Sequence, residues 1–141
     1  MNMKLSENNK NILIKEIRTA AEYMSKANNA QQKMYFFSAV FGISNRMMNL
    51  EFDPELVFIH HVTESTFKNI NTNLMMMSQG QSLPSIPPSL FNKLEDALVQ
   101  LANYIEEGNP TYPALERISN LSYSTSGNGY YLFLKGMLKL D

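Results

Sequence analysis

Apolar residues recur every three or four positions through most of this chain, and this spacing constrains its fold more than any other feature. Residues 6 to 27 show the pattern clearly, with Leu13, Ile17, Ala20, Met24 and Ala27 in step. Side chains at this spacing share one side of an α-helix, because the helix turns once in about 3.6 residues. The sequence therefore predicts an all-α fold whose helices bury one side each.

Two long helices are predicted after the first. Residues 30 to 48 are apolar on most sides, which is typical of a helix that is buried among neighbours or that meets another subunit. Asp53, Pro54 and Glu55 then mark the start of a third helix. Aspartate accepts hydrogen bonds at an N-cap, proline fits the first helical position, and glutamate complements the helix dipole. We expect the second and third helices to be central in the bundle.

The later part of the chain predicts two further helices. The buried side of the third helix is predicted to comprise Leu56, His60, Thr63, Phe67, Ile70, Leu74 and Met77. This helix can end at Gly80 in the left-handed conformation. Residues 81 to 89, which include three prolines, are expected to link it to a fourth helix that ends at Gly108, and a short fifth helix starts near Pro113.

The last twenty residues are the hardest to interpret. Residues 122 to 129 are rich in serine and glycine and are predicted to form a loop. Residues 130 to 140 suit either a helix or a strand, and we favour a helix because a lone strand would find no partner in a helical chain. The prediction is thus a single all-α domain, residues 1 to 141, built as a bundle of five to six helices.

Composition excludes several classes of protein. The chain has 141 residues and no cysteine, so a thiolate nucleophile, a cysteine-ligated metal and a disulfide framework are all excluded. Its start lacks the pattern of a secretory signal, and its densest apolar stretches are shorter than the roughly 20 residues of a membrane span. We therefore expect a cytoplasmic protein that does not enter a membrane and needs no cofactor.

Charge is unevenly distributed along the chain although it nearly cancels in total. Residues 1 to 50 hold seven Lys or Arg and three Glu, a net of +4, whereas residues 51 to 116 hold two Lys and nine acids, a net of −7. The basic residues are spread out and interrupted by glutamates, and nucleic-acid binding requires clustered cations. The sequence therefore predicts no nucleic-acid partner. The uneven charge could, however, attract the basic part of the chain to the acidic part, within one molecule or between two.

His60, His61 and Glu64 form the strongest candidate for a metal site. A small metal-dependent enzyme could use His61 and Glu64 together with carboxylates such as Glu51 or Asp53. However, adjacent histidines point about 100° apart on a helix, and the chain has no other histidine to complete a ligand set. We favour a structural interpretation, with His60 hydrogen-bonded in the core and His61 on a polar side near Glu64.

A second candidate lies in the predicted loop at Gly127, Asn128 and Gly129. Glycines and hydroxyl groups before a helix can present backbone N–H groups to an anion. The loop lacks the phosphate-binding glycine–lysine pattern and contains no Lys or Arg. A simple connection is the favoured interpretation.

The leading functional hypothesis is a non-catalytic module for protein–protein interaction or homo-oligomerisation. The chain has ten methionines, and three in a row around the third helix cannot all face one core. Because methionine adapts to irregular partners, the expected contact residues are Met47, Met48, Met75 and Met76. Only 18% of the residues are charged, which favours self-association and therefore a homodimer. A helical carrier of an apolar ligand is the remaining alternative.

Overall fold

The computed structural model describes residues 3–80 and 86–125, and every regular element in them is an α-helix. The helices are α1 (Glu7–Lys26), α2 (Ala30–Leu50), α3 (Pro54–Ser78), α4 (Pro88–Glu107) and α5 (Tyr112–Tyr123). The predicted all-α bundle is confirmed with five helices, and α2 and α3 form its most extensive helix pair. None of these helices combines the length and the apolar character needed to cross a bilayer. The predicted helix at 130–140 lies outside the described residues.

Local signals in the sequence set most helix ends. Ser6, Asn29 and Asp53 each accept a hydrogen bond on the side chain from a backbone N–H in the first turn of the helix that follows. Gly80 and Gly108 follow α3 and α4 in the left-handed conformation, with φ of 83° and 75°. Such values suit glycine because it has no Cβ to clash with the backbone.

Two predicted boundaries are wrong by two residues each. Pro88 and Ser89 belong to α4 rather than to the proline-rich linker, because the first turn of a helix does not need the N–H that proline lacks. Ser122 and Tyr123 close α5 rather than opening a loop. The Asn69 side chain donates to Ser122 Oγ at 2.9 Å and so holds this last turn against α3.

The five helices pack as a closed ring around one core. Helix α1 packs between α4 and α2, α2 packs between α1 and α3, and α5 closes the ring by packing on both α3 and α4. Thr111, just before α5, donates to Glu55 in the first turn of α3, and Asn69, further along α3, donates to Ser122 near the end of α5. These two helices therefore run parallel, and a groove lies between them.

The buried side of α3 is rotated from the predicted one. Its fully buried members are Leu56, Ile59, Thr63, Thr66 and Ile70. The other members of the predicted buried side, at positions 60, 67, 74 and 77, are only half-buried. The two threonine hydroxyls enter the core because they donate to backbone carbonyls one turn earlier, at 2.6 and 2.7 Å.

Candidate functional site

The four predicted methionine contacts do not form one surface. Met47 is only 2% exposed and is part of the core, so it has almost no surface with which to contact a partner. Its position on α2 faces the interior of the ring, where other helices cover it. Met48 and Met76 are half-buried, and Met75 is exposed. An interaction surface must therefore be sought elsewhere.

The metal hypothesis requires Glu64 to lie beside His61. In the structure Glu64 pairs with His60 instead. His60 Nε2 lies 2.8 Å from Glu64 Oε2, and Lys68 Nζ lies 2.7 Å from Glu64 Oε1. His60 Nδ1 also lies 3.2 Å from the Phe41 carbonyl, which orients the ring toward Glu64. Hydrogen bonding to Lys68 lowers the pKa of Glu64. His61 is exposed beside this network.

The carboxylates expected to complete a metal site have structural roles instead. Glu51 accepts hydrogen bonds from Ser6 N at 2.9 Å and from Asn9 Nδ2 at 2.8 Å. These bonds, with the Asn9 contribution the larger, lower the pKa of Glu51. Asp53 is buried and caps α3. Among residues 3–80 and 86–125, no group of three His, Asp or Glu is arranged to hold a metal ion. The predicted anion-binding residues, Gly127, Asn128 and Gly129, lie outside the described residues.

The most distinctive surface feature is an apolar groove between the first two turns of α3 and of α5. Phe58 and Val62 line its α3 side, and Tyr112 and Leu115 line its α5 side. The groove has a volume of about 400 Å³ and is open along one side. We call it the α3–α5 groove.

Two aromatic rings on opposite sides of the α3–α5 groove face solvent. Phe58 is 60% exposed and Tyr112 is 69% exposed. A single exposed apolar side chain is ordinary, but a concentration of them beside a concave apolar surface is typical of a binding site. Because neither ring is part of the buried core, the fold does not account for their position.

The floor of the groove is polar and buried. Glu55 is 8% exposed, and Thr111 is also buried. Thr111 Oγ1 donates to Glu55 Oε2 at 3.1 Å. Burial raises the pKa of the Glu55 carboxyl, and the Thr111 hydrogen bond acts in the opposite direction. The groove thus combines apolar walls with one desolvated acid.

A second aromatic surface lies where α1 ends and α2 begins. The Tyr23 and Phe36 rings stack with centroids 5.3 Å apart, and Tyr35 contacts Phe36 edge-on at 5.5 Å. Tyr35 is 71% exposed. Lys26, which borders this surface, is paired with Glu22 at 2.8 Å. No buried acid or base lies among the residues lining this surface, so it offers less chemical selectivity than the α3–α5 groove.

The α3–α5 groove was not predicted from the sequence, although a signal for it is present. Phe58 and Val62 are four residues apart and therefore share a face of α3. That face lies beside the predicted buried stripe, and two large apolar residues there indicate a second contact surface. What the spacing does not specify is which helix faces them. Tyr112 and Leu115 of α5 are at least fifty residues away in the chain.

Comparisons with known proteins identify no family for this chain. No protein-family model matches the chain, and neither the curated proteins nor the solved structures include a significant match.

Proposed function

We propose that this protein is a non-catalytic interaction module that binds another protein through the α3–α5 groove. One observation carries the proposal, namely that Phe58 and Tyr112 flank an apolar groove and are both more than half exposed. Aromatic residues are enriched at protein interfaces, where they bury a large area with few rotatable bonds. Burying both rings against a partner would remove apolar surface that the isolated chain leaves in water.

The arrangement of the polar residues also favours binding over catalysis. Within the described ranges, Glu64 is held by His60 and Lys68, and His60 also contacts the Phe41 carbonyl. Glu51 and Asp53 hold the segment before α1 against the start of α3. Catalysis by an acid or a base requires a side chain that reaches a substrate, and these side chains are occupied by structural contacts.

Site-specific crosslinking tests the proposal. A photoreactive benzoylphenylalanine replaces Phe58 in one variant and Tyr35 in a matched control, which carries the same group on an aromatic site that is also more than half exposed. In cells of the native host, we expect a discrete crosslinked product from position 58 and a much weaker one from position 35. Adding Tyr112→Ser to the first variant should abolish the product, because it removes the opposite wall of the groove.

Two outcomes contradict the proposal. Equal crosslinking from positions 58 and 35 would mean that the groove is not a preferred contact surface. A product that persists in the Tyr112→Ser background would mean that it forms without the groove. Circular dichroism of each variant checks that the helices are intact.

A further inference from the structure

We propose that the α3–α5 groove receives an arginine side chain from an amphipathic helical segment of a different protein, with the guanidinium bound to Glu55. This inference rests on the proposed function and specifies its partner. It starts from Glu55, a residue that is only 8% exposed and lines an open groove.

No Lys, Arg or His side chain of the described residues pairs with the Glu55 carboxyl, although the positive charge of the amino terminus also acts to lower its pKa. Thr111 supplies the hydrogen bond that the structure shows, and it reaches only Oε2. A buried carboxylate is costly unless it is paired, so a cation that enters the groove would compensate for its desolvation.

The walls of the groove favour a guanidinium over an ammonium ion. Arginine is less strongly hydrated than lysine, stacks on aromatic rings and forms two parallel hydrogen bonds with a carboxylate. Phe58 and Tyr112 provide rings on the two sides of the groove, and Glu55 provides the carboxylate between them. Glu116 lines the groove as well and is exposed, so it adds a second negative charge near the opening.

The shape of the groove suits a helix. It lies between two parallel helices and extends from Glu55 to Val62 on α3, which is about 10 Å or two helical turns. Helices commonly dock their apolar side into grooves of this kind, with anchors three or four residues apart. An arginine with a leucine one turn away on each side would place its charge on Glu55 and its apolar neighbours on the groove walls.

A symmetric contact with a second copy is disfavoured by charge. Groove-to-groove packing would bring the Glu55 and Glu116 carboxyl groups of two molecules together, and like charges at an interface oppose binding. A head-to-tail contact would require an exposed arginine of this chain. Arg18 is bound to Glu106, and Arg117 is half-buried and donates to Gln100, so Arg46 on α2 is the exposed arginine among the described residues.

Selection from a phage library of helical 15-residue peptides tests the inference. We expect peptides selected on the wild-type protein to share one arginine flanked by apolar residues. In isothermal titration, replacing that arginine by citrulline, which is neutral and nearly the same shape, should weaken binding about tenfold or more. Glu55→Gln should weaken the arginine peptide by a similar factor and leave the citrulline peptide nearly unaffected. The matched control Asp96→Asn removes an exposed carboxylate that does not line the groove, and it should leave binding nearly unchanged.

The possible failures separate the two proposals. If selected peptides lose binding with Phe58→Ser but show no preference for arginine, the groove is an interaction site and the arginine inference is wrong. If no selected peptide depends on Phe58, both proposals fail. If butylguanidinium alone binds as tightly as the peptides, the site takes a small cation instead of a protein segment. If the protein self-associates in sedimentation and Arg46→Ala abolishes this, the occupant is a second copy.

Discussion

At the scale of single residues, Glu55 couples the stability of the protein to pH. Burial raises its pKa above the ordinary value of 4.5, so the folded protein binds this proton more tightly than the unfolded chain does. The resulting stability is fully present below the ordinary pKa and is lost as the pH rises through the raised pKa. Glu55 therefore destabilises the fold most when it is ionised.

Replacing Glu55 by glutamine should remove this pH dependence. The amide oxygen can still accept the Thr111 hydrogen bond but has no charge to desolvate. We expect the free energy of unfolding of Glu55→Gln, measured by urea denaturation, to rise relative to wild type as the pH increases above about 4.5. Glu116→Gln serves as the control for loss of one carboxylate. A stability difference that shrinks with rising pH would contradict the assigned cause.

Residue-scale contacts divide into those that sequence spacing reveals and those that it does not. The spacing of Glu22 and Lys26 predicts their ion pair, which the structure shows at 2.8 Å. The same spacing predicts a pair between Arg18 and Glu22, but Arg18 instead binds Glu106 and Asn103, more than eighty residues away. Helical periodicity specifies which residues are neighbours along one helix. The partners of Arg18 lie on α4, so they become neighbours only when α1 packs on α4.

At the scale of helices and their ends, Asp53 has two roles. Its Oδ1 accepts a hydrogen bond from Glu55 N at 2.8 Å, which caps α3. Its Oδ2 accepts one from Lys4 N at 2.6 Å, which ties the segment before α1 to the start of α3. The first role follows from the Asp–Pro–Glu pattern, but the second could not be predicted because it joins residues 49 positions apart.

Comparing two cap deletions should separate these roles. Asn29→Ala removes a cap on the exposed start of α2 and should cost about 1 kcal/mol of unfolding free energy. Asp53→Ala also leaves the partly buried Lys4 N–H without its acceptor, so its cost should be about 2–3 kcal/mol. Chemical denaturation at neutral pH measures both. Equal losses would show that the Lys4 bond adds nothing to stability.

Whole helices also divide into features that the local sequence predicts and features that depend on packing. The positions of all five helices followed from caps, prolines, glycines and periodic apolar residues, which act within a few neighbours. The rotation of α3 did not follow, because Thr66 carries a polar hydroxyl and enters the core only by bonding to its own helix. The α3–α5 groove depends on that rotation together with the placement of α5, so it could not be located from the pattern of α3 alone.

At the scale of the whole molecule, the ring order links every helix to two others. Helix α5 is only 12 residues long, yet it joins α3 to α4 and so closes the ring. Its Ile118 is fully buried in the common core. A helix with this position should not unfold by itself, because its loss would expose the apolar sides of both neighbours.

A cavity in α5 should therefore weaken the entire bundle in one transition. Ile118→Ala removes a buried side chain and should cost about 2–5 kcal/mol, whereas Ile12→Ala, at a 41% exposed site on α1, should cost about 0.5 kcal/mol. Far-ultraviolet circular dichroism follows all helices, and fluorescence of the seven tyrosines follows tertiary packing. We expect the two signals to coincide during denaturation of Ile118→Ala, because coincident transitions indicate two-state unfolding. An early transition confined to part of the helical signal would show that α5 separates while the other four helices stay folded. One side of the α3–α5 groove would then be formed by a helix that can detach.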